Sequence, residues 1–160
     1  MPHEKLPLTI KFDFPPSVNK HHKPTVQNGK LRIRKGDEAR RFQKRAEVSI
    51  WEAGAYNARI SDLVDVELVL CPATKRRYDS DNFSKAVLDA LVQCGAIKDD
   101  SQVQSIRSIK GPIIKGGRSY LRITPHTEGL PAWFADKNTR PQSHAMSRYG
   151  RAHRSKNISI

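Results

Sequence analysis

Residues Leu63 to Leu70 read LVDVELVL, with Val64, Val66, Leu68 and Leu70 facing one way and Asp65 and Glu67 the other. This period of two marks a strand with one buried face. It stands between two stretches of helical period. From Asp37 to Ala53 the recurring apolar residues are Ala39, Phe42, Ala46, Ile50 and Ala53; from Asp81 to Cys94 they are Phe83, Val87, Ala90, Leu91 and Cys94. Gly54 and Gly95 supply the stops. One-faced strands and helices bury those faces against one another in layers.

The remaining pattern adds strands. Leu8, Ile10, Phe12 and Phe14 alternate with Thr9, Lys11 and Asp13, and Pro15-Pro16 ends the run because proline brings no ladder donor. Pro15 to Lys35 holds six lysines and arginines and no acid, with an Asn28-Gly29 turn inside it, so it reads as a basic loop or ribbon. Val103–Ile114 and Arg118–Thr124 read as a hairpin around Lys115-Gly116-Gly117-Arg118. The order is strand, basic loop, helix, strand, helix, hairpin. It predicts a two-layer α+β fold with a mixed or antiparallel sheet and two main helices. The domain is expected over residues 1–124, and residues 125–160, with six basic residues and two acids, read as a flexible basic tail.

Net charge is +13. Such an excess attracts polyanions, with nucleic acid first and an anionic membrane surface second. No apolar run approaches the roughly 18 residues of a membrane span. MPHEKLPLTI lacks the apolar core of a secretory signal. Cys71 and Cys94 are the only cysteines, too few for a disulfide framework, and a reducing cytoplasm is expected.

Against this basic background, Arg76 to Asp100 gathers five aspartates: Asp79, Asp81, Asp89, Asp99 and Asp100. Two readings fit Asp79 and Asp81. Aspartate favours helix N-termini, where it caps; paired carboxylates also offer hard oxygen ligands for magnesium or manganese. Asp99 and Asp100 follow a helix, where acids oppose its dipole, so a turn or a metal explains them rather than a cap. Lys85 either pairs with Asp81 at i,i+4 or stands beside a metal as a cation that steadies phosphate or the leaving group. Asp89 is expected as a support or salt-bridge partner. Zinc lacks Cys/His spacing; His21-His22 are expected as loop residues near phosphate. Carboxylates with a metal inside a basic shell suit phosphodiester cleavage.

The stretch RRYDSDNFSKAVLDALVQCGAIKDDSQV followed by KGGR resembles the RusA family of Holliday junction resolvases. The resemblance rests on Asp79, Asp81, Asn82, Lys85, Asp89-Ala90-Leu91, Gly95, Asp99-Asp100 and Val103, with FPPSVN and Asn19 upstream, and spans roughly Leu8 to Thr124. It implies a magnesium-dependent endonuclease, with manganese as a substitute, acting as a homodimer that nicks opposite strands of a four-way junction in DNA recombination and repair. Carried over by position, Asp79, Asp81 and Asp100 look like the metal-binding acids and Lys85 like the catalytic lysine. The cytoplasm of a bacterium or a phage's host is implied. Lys20, Lys23, Arg32, Arg34, Arg76, Arg77, Lys115 and Arg118 are expected to hold DNA phosphates. One departure is Tyr78, where relatives carry a basic residue before the first aspartate; a phosphate contact there is lost or moves to Arg77. The competing function is a non-catalytic nucleic-acid-binding module whose aspartates are caps and turns.

Overall fold

The computed structural model describes residues 6–18, 22–127 and 129, apart from the side chains of residues 22, 23 and 32–35. In chain order they form β1 (Leu8–Phe12), β2 (His22–Gln27), β3 (Lys30–Lys35), α1 (Asp37–Glu52), β4 (Val64–Cys71), α2 (Ser84–Gln93), β5 (Val103–Lys110) and β6 (Arg118–Pro125). Short 3₁₀ turns lie at Ser80–Phe83 and Asp100–Gln102. The expected tail falls almost wholly outside these residues. No helix among them is long and apolar enough to cross a membrane.

Four strands make one sheet in the order β1-β6-β4-β5, with β4 parallel to β5 and the other neighbours antiparallel. One face is largely apolar over β1, β6 and β4, with Ser119 as a buried polar residue on it. Val64, Val66, Leu68 and Leu70 are buried on it with Leu121 and Ile123 of β6 and Leu8, Ile10 and Phe12 of β1. Phe42, Ala46 and Ile50 of α1 and Val87, Ala90 and Leu91 of α2 complete the same core. The fold is therefore the expected two-layer α+β arrangement. Both cysteines are buried and free, and burial pushes both thiols up.

α1 carries Asp37 and Glu38 in its first turn, where the helix dipole favours negative charge, and ends at Gly54 with φ +69°. β2 and β3 form a separate two-stranded sheet. Asn28 and Gly29 both take positive φ, the geometry of the tight hairpin turn the sequence predicted.

Two expectations are corrected. The second helix begins at Ser84 rather than Asp81, because residues 80–83 wind as a 3₁₀ turn. The hairpin around Lys115–Arg118 does not form: β5 and β6 lie on opposite sides of β4. The glycines read as a hairpin turn because two strands flank them, but the link crosses the end of β4 instead. There the Gly111 amide donates to the Leu70 carbonyl at 2.7 Å and the Ile114 amide to Pro72 at 3.0 Å.

That crossing needs a residue without a side chain. A Cβ on Gly111 would lie 2.6 Å from Cys71 Sγ and 2.9 Å from Val69 Cγ1. Gly111→Ala is expected to cost about 1–3 kcal/mol, the usual range for overpacking, read as a lower urea midpoint. Adding Cys71→Ala should recover part of that loss.

Candidate active site

The loop from β4 to α2 is tied down by aromatic packing. Phe14, Tyr78 and Phe83 stack edge to face, with ring centroids 5.8 Å apart for Phe14 and Tyr78, 5.1 Å for Phe14 and Phe83, and 5.6 Å for Tyr78 and Phe83. The Tyr78 hydroxyl donates to the Leu70 carbonyl at 3.2 Å, and Lys110 Nζ lies 5.0 Å from the ring centroid. Burial raises the phenol pKa, which keeps the group a donor. Tyr78 and Phe83 thus bracket Asp79 and Asp81 as anchors.

Asp79 occupies the N-cap position of the 3₁₀ turn yet makes no side-chain cap hydrogen bond. Only backbone carbonyls are engaged here: that of Asp79 accepts from the Asn82 amide at 3.3 Å, and that of Asp81 from Ser84 Oγ at 2.9 Å. Both carboxylates are exposed and make no hydrogen bond or ion pair among the described residues. Capping therefore does not account for them. Lys85 reaches forward to Asp89 at 3.3 Å rather than back to Asp81. The 3₁₀ winding takes Asp81 out of the α-helical i,i+4 relation, and Asp89 is the salt-bridge partner.

At the other end of α2 the two acids separate in role. Asp99 caps the second 3₁₀ turn: its carboxylate accepts from the Ser101 amide at 2.9 Å. Hydrogen bonding to Ser101 holds its pKa below the usual carboxylate value. Gln102 Oε1 accepts from the Lys98 and Asp99 amides at 2.8 and 2.9 Å, and its Nε2 donates to the Ile60 and Asp62 carbonyls at 3.0 Å each. The expectation that capping does not explain this pair is thus overturned for Asp99. Asp-x-x-Gln, a capping-box spacing, was the signal in the sequence. Asp100 is exposed in the first position of the turn. α2, ten residues and about 15 Å long, lies between it and Asp81 in the chain. Among the described residues no group of three or more His, Cys, Asp or Glu is placed to hold a metal. Asp79, Asp81 and Asp100 do not converge within one chain.

Phe14, Tyr78 and Phe83 border a cavity of about 600 Å³, whose lining includes the acids Asp13 and Glu38 but neither Asp79 nor Asp81. Arg41, Arg45, Arg76 and Arg77 line it together with Tyr78, Phe83 and the Pro15-Pro16-Ser17 segment. Arg45 is held by Asp13 at 2.8 Å, and the same carboxylate takes Arg118 at 3.1 Å. Arg41, Arg76 and Arg77 are exposed and make no ion pair among the described residues. Arg118, expected on DNA, is thus partly committed to Asp13. Lys115 is exposed in the turn before Gly116. Lys23, Arg32 and Arg34 lie on the β2–β3 ribbon, their side chains outside the described residues, and Lys20 lies wholly outside them.

Residues 13–124 match the family model described as endodeoxyribonuclease RusA. This chain belongs to the RusA family. It is 33% identical over 116 residues to the crossover junction endodeoxyribonuclease RusA of Shigella sonnei (strain Ss046), covering 72% of this chain and 92% of that one. The counterpart from Enterobacteria phage 82 is 31% identical over 115 residues, with the same coverage. That of Escherichia coli (strain K12) is 50% identical over 50 residues, 31% of this chain and 42% of that one.

In this RusA-family chain the sequence places Arg41 and Arg45 on a basic stripe of α1 and Phe14 in the first strand, but it signals neither the packing of Phe14 on Tyr78 and Phe83 nor the role of Gln102. Gln102 is nearly buried and bonds four backbone groups, so Gln102→Ala should destabilise the fold by about 2–4 kcal/mol in urea titration, because buried donors and acceptors lose their partners. Asp79→Asn and Asp81→Asn should each stay within about 0.5 kcal/mol of wild type in the same titration.

Proposed function

We propose that this chain is a structure-selective DNA endonuclease that resolves four-way junctions by paired, metal-dependent nicking, acting as a homodimer in the cytoplasm of a bacterium or of a phage's host. The observation that carries the reading is a pair of unpartnered carboxylates, Asp79 and Asp81, on the loop whose preceding residues Arg76, Arg77 and Tyr78 line an arginine-rich cavity, in a chain of the RusA family. Magnesium, with manganese as a substitute, fits the donor set. Magnesium keeps several waters and takes one or two protein carboxylates together with substrate phosphate oxygens, rather than a closed protein cage. Asp79 and Asp81 supply two such carboxylates. The ion would supply Lewis acidity at the phosphate and a lowered water pKa. Arg41, Arg76 and Arg77 hold the phosphodiester against carboxylate repulsion, and Lys85, one turn into α2, stands as the cation for developing negative charge.

The homodimer reading draws on β5. A parallel strand is ordinarily covered on both faces, yet β5 is an edge strand with exposed residues along most of its length. A second copy laid antiparallel along it covers this edge. It also sets the start of one β5, which follows Asp100, against the end of the other, where Lys110 meets Tyr78. Asp100 would then join Asp79 and Asp81 of the other copy.

The deciding experiment incubates a synthetic four-way junction and a linear duplex with wild type and Asp81→Asn, with and without magnesium. Junction cleavage that needs magnesium and drops by roughly 100-fold or more in the variant is expected, since even outer-shell partners of a metal are worth up to that much. Wild type that binds but never cuts would leave a non-catalytic binding module. Cleavage of both substrates alike would leave a general nuclease. Mixing inactive Asp81→Asn and Asp100→Asn chains tests the shared site. Sites shared across copies regain one intact centre per mixed dimer and nick one strand, whereas sites within a chain regain none.

A further inference from the structure

The β2–β3 ribbon has two chemically different faces. In its register Val26 sits opposite Leu31, Pro24 opposite Ile33 and His22 opposite Lys35, so these six positions share one face, apolar over the two pairs nearest the turn and polar at the far end. Positions 23, 25, 27, 30, 32 and 34 fall on the other: Lys23 opposite Arg34, Thr25 opposite Arg32, and Gln27 opposite Lys30. Near its turn the ribbon is thus apolar on one side and polar to basic on the other. Val26 and Leu31, next to the turn, are 73% and 74% exposed, the two most exposed large apolar side chains among the described residues. Pro24 is exposed as well.

An uncovered apolar face is ordinarily a place for something to bind. Here the opposite face carries four basic residues at described register positions and no acid, which selects a polyanion as the occupant. A two-stranded ribbon fits a DNA groove. Side chains such as valine and leucine act on DNA by wedging against bases, where they replace stacking. Away from its ends a linear duplex offers no free base-pair face, but a branch point does: its innermost pairs lose a stacking neighbour where the strands change partners.

We propose that the β2–β3 ribbon is the element that recognises the branch point, with Val26 and Leu31 packed on the exposed face of an innermost base pair and the basic face along the adjoining phosphates. The inference rests on the nuclease reading above and adds the origin of its selectivity. Both side chains are solvent-exposed, so threonine, close in shape to valine and smaller than leucine, leaves the core untouched and keeps strand preference.

The test compares wild type with the double variant Val26→Thr/Leu31→Thr in the absence of divalent metal, at fixed ionic strength. The probes are a four-way junction carrying 2-aminopurine at its centre and the matching linear duplex. Wild type should raise the 2-aminopurine fluorescence on binding. The variant should raise it little and bind the junction about tenfold more weakly, the equivalent of one lost base-stacking contact. Its duplex affinity should stay within about twofold, because the phosphate contacts remain. A variant with the wild-type fluorescence rise and the wild-type preference for the junction overturns the proposal while leaving the nuclease reading intact. So does a variant whose only change is its oligomeric state in sedimentation, which assigns the face to a second copy. Wild type without any junction preference removes the resolvase reading, and this inference falls with it.

Discussion

The parallel pairing of β4 with β5 is the constraint on which the rest depends. Two parallel neighbours cannot be joined by a tight turn; the chain must travel back the length of the strand before pairing. In this protein the return path is residues 72–102, containing the aromatic anchor, α2 and the two 3₁₀ turns. Asp79, Asp81, Lys85, Asp89, Asp99 and Asp100 all lie on it. The register from Asp65 opposite Ser105 to Leu70 opposite Lys110 fixes both ends of that path against one rigid strand. β6, antiparallel on the other edge of β4, locks the strand from its second side. An acidic site on a crossover bolted at both ends needs no separate scaffold.

The carboxylates sort by partner. Asp13 holds Arg45 and Arg118, Asp37 holds Arg40 at 2.7 Å, and Asp89 holds Lys85. Asp65 accepts from Ser105 at 2.6 Å and lies 2.9 Å from His126; burial opposes its charge, but these contacts outweigh burial and lower its pKa. Asp99 caps a turn. Asp79 and Asp81 make no ion pair among the described residues, and neither do Glu47, Glu52 and Asp100; what sets the first two apart is that they stand two residues apart at one loop–helix junction. Arg76 and Arg77 immediately precede Tyr78, yet neither turns onto Asp79 or Asp81. Tyr78, anchored between Phe14 and Phe83, separates the two along the loop: Arg76 and Arg77 before it line the cavity, and Asp79 and Asp81 after it do not, so the loop's own acids and bases do not neutralise one another.

Periodicity made the core legible: the apolar stripes of β1, β4, β6, α1 and α2 are those read from the sequence. Strand pairing in the four-stranded sheet was not legible, because alternation states which residues face the core and says nothing of the neighbour; only the Asn28-Gly29 turn announced its pair. Gly116-Gly117 between two strands reads as a hairpin; the contact that decides otherwise is Gly111 against Cys71, forty residues away in the chain. The site divided likewise. Asp79, Asp81 and Lys85 could be singled out by type and spacing. That Asp99 is a cap depends on a single 3₁₀ turn too short to leave a period, visible only as Asp-x-x-Gln. Tyr78, which looked like the loss of a phosphate contact, is the pillar of the loop, and its role rests on Phe14, sixty-four residues earlier.

Charge and shape supply different parts of recognition. A net charge of +13 favours every duplex over bulk solution, and it does so through phosphate contacts alike in linear and branched DNA. Adding arginines to the cavity wall would therefore raise affinity without selecting a junction. Selection requires a surface that meets something the linear duplex lacks, and unstacked base faces are apolar rather than anionic. The basic side of the β2–β3 ribbon belongs to the first kind of contact and its apolar side to the second. Alternation along two paired strands is the simplest way for one short element to carry both, because a period of two sends neighbouring residues to opposite faces.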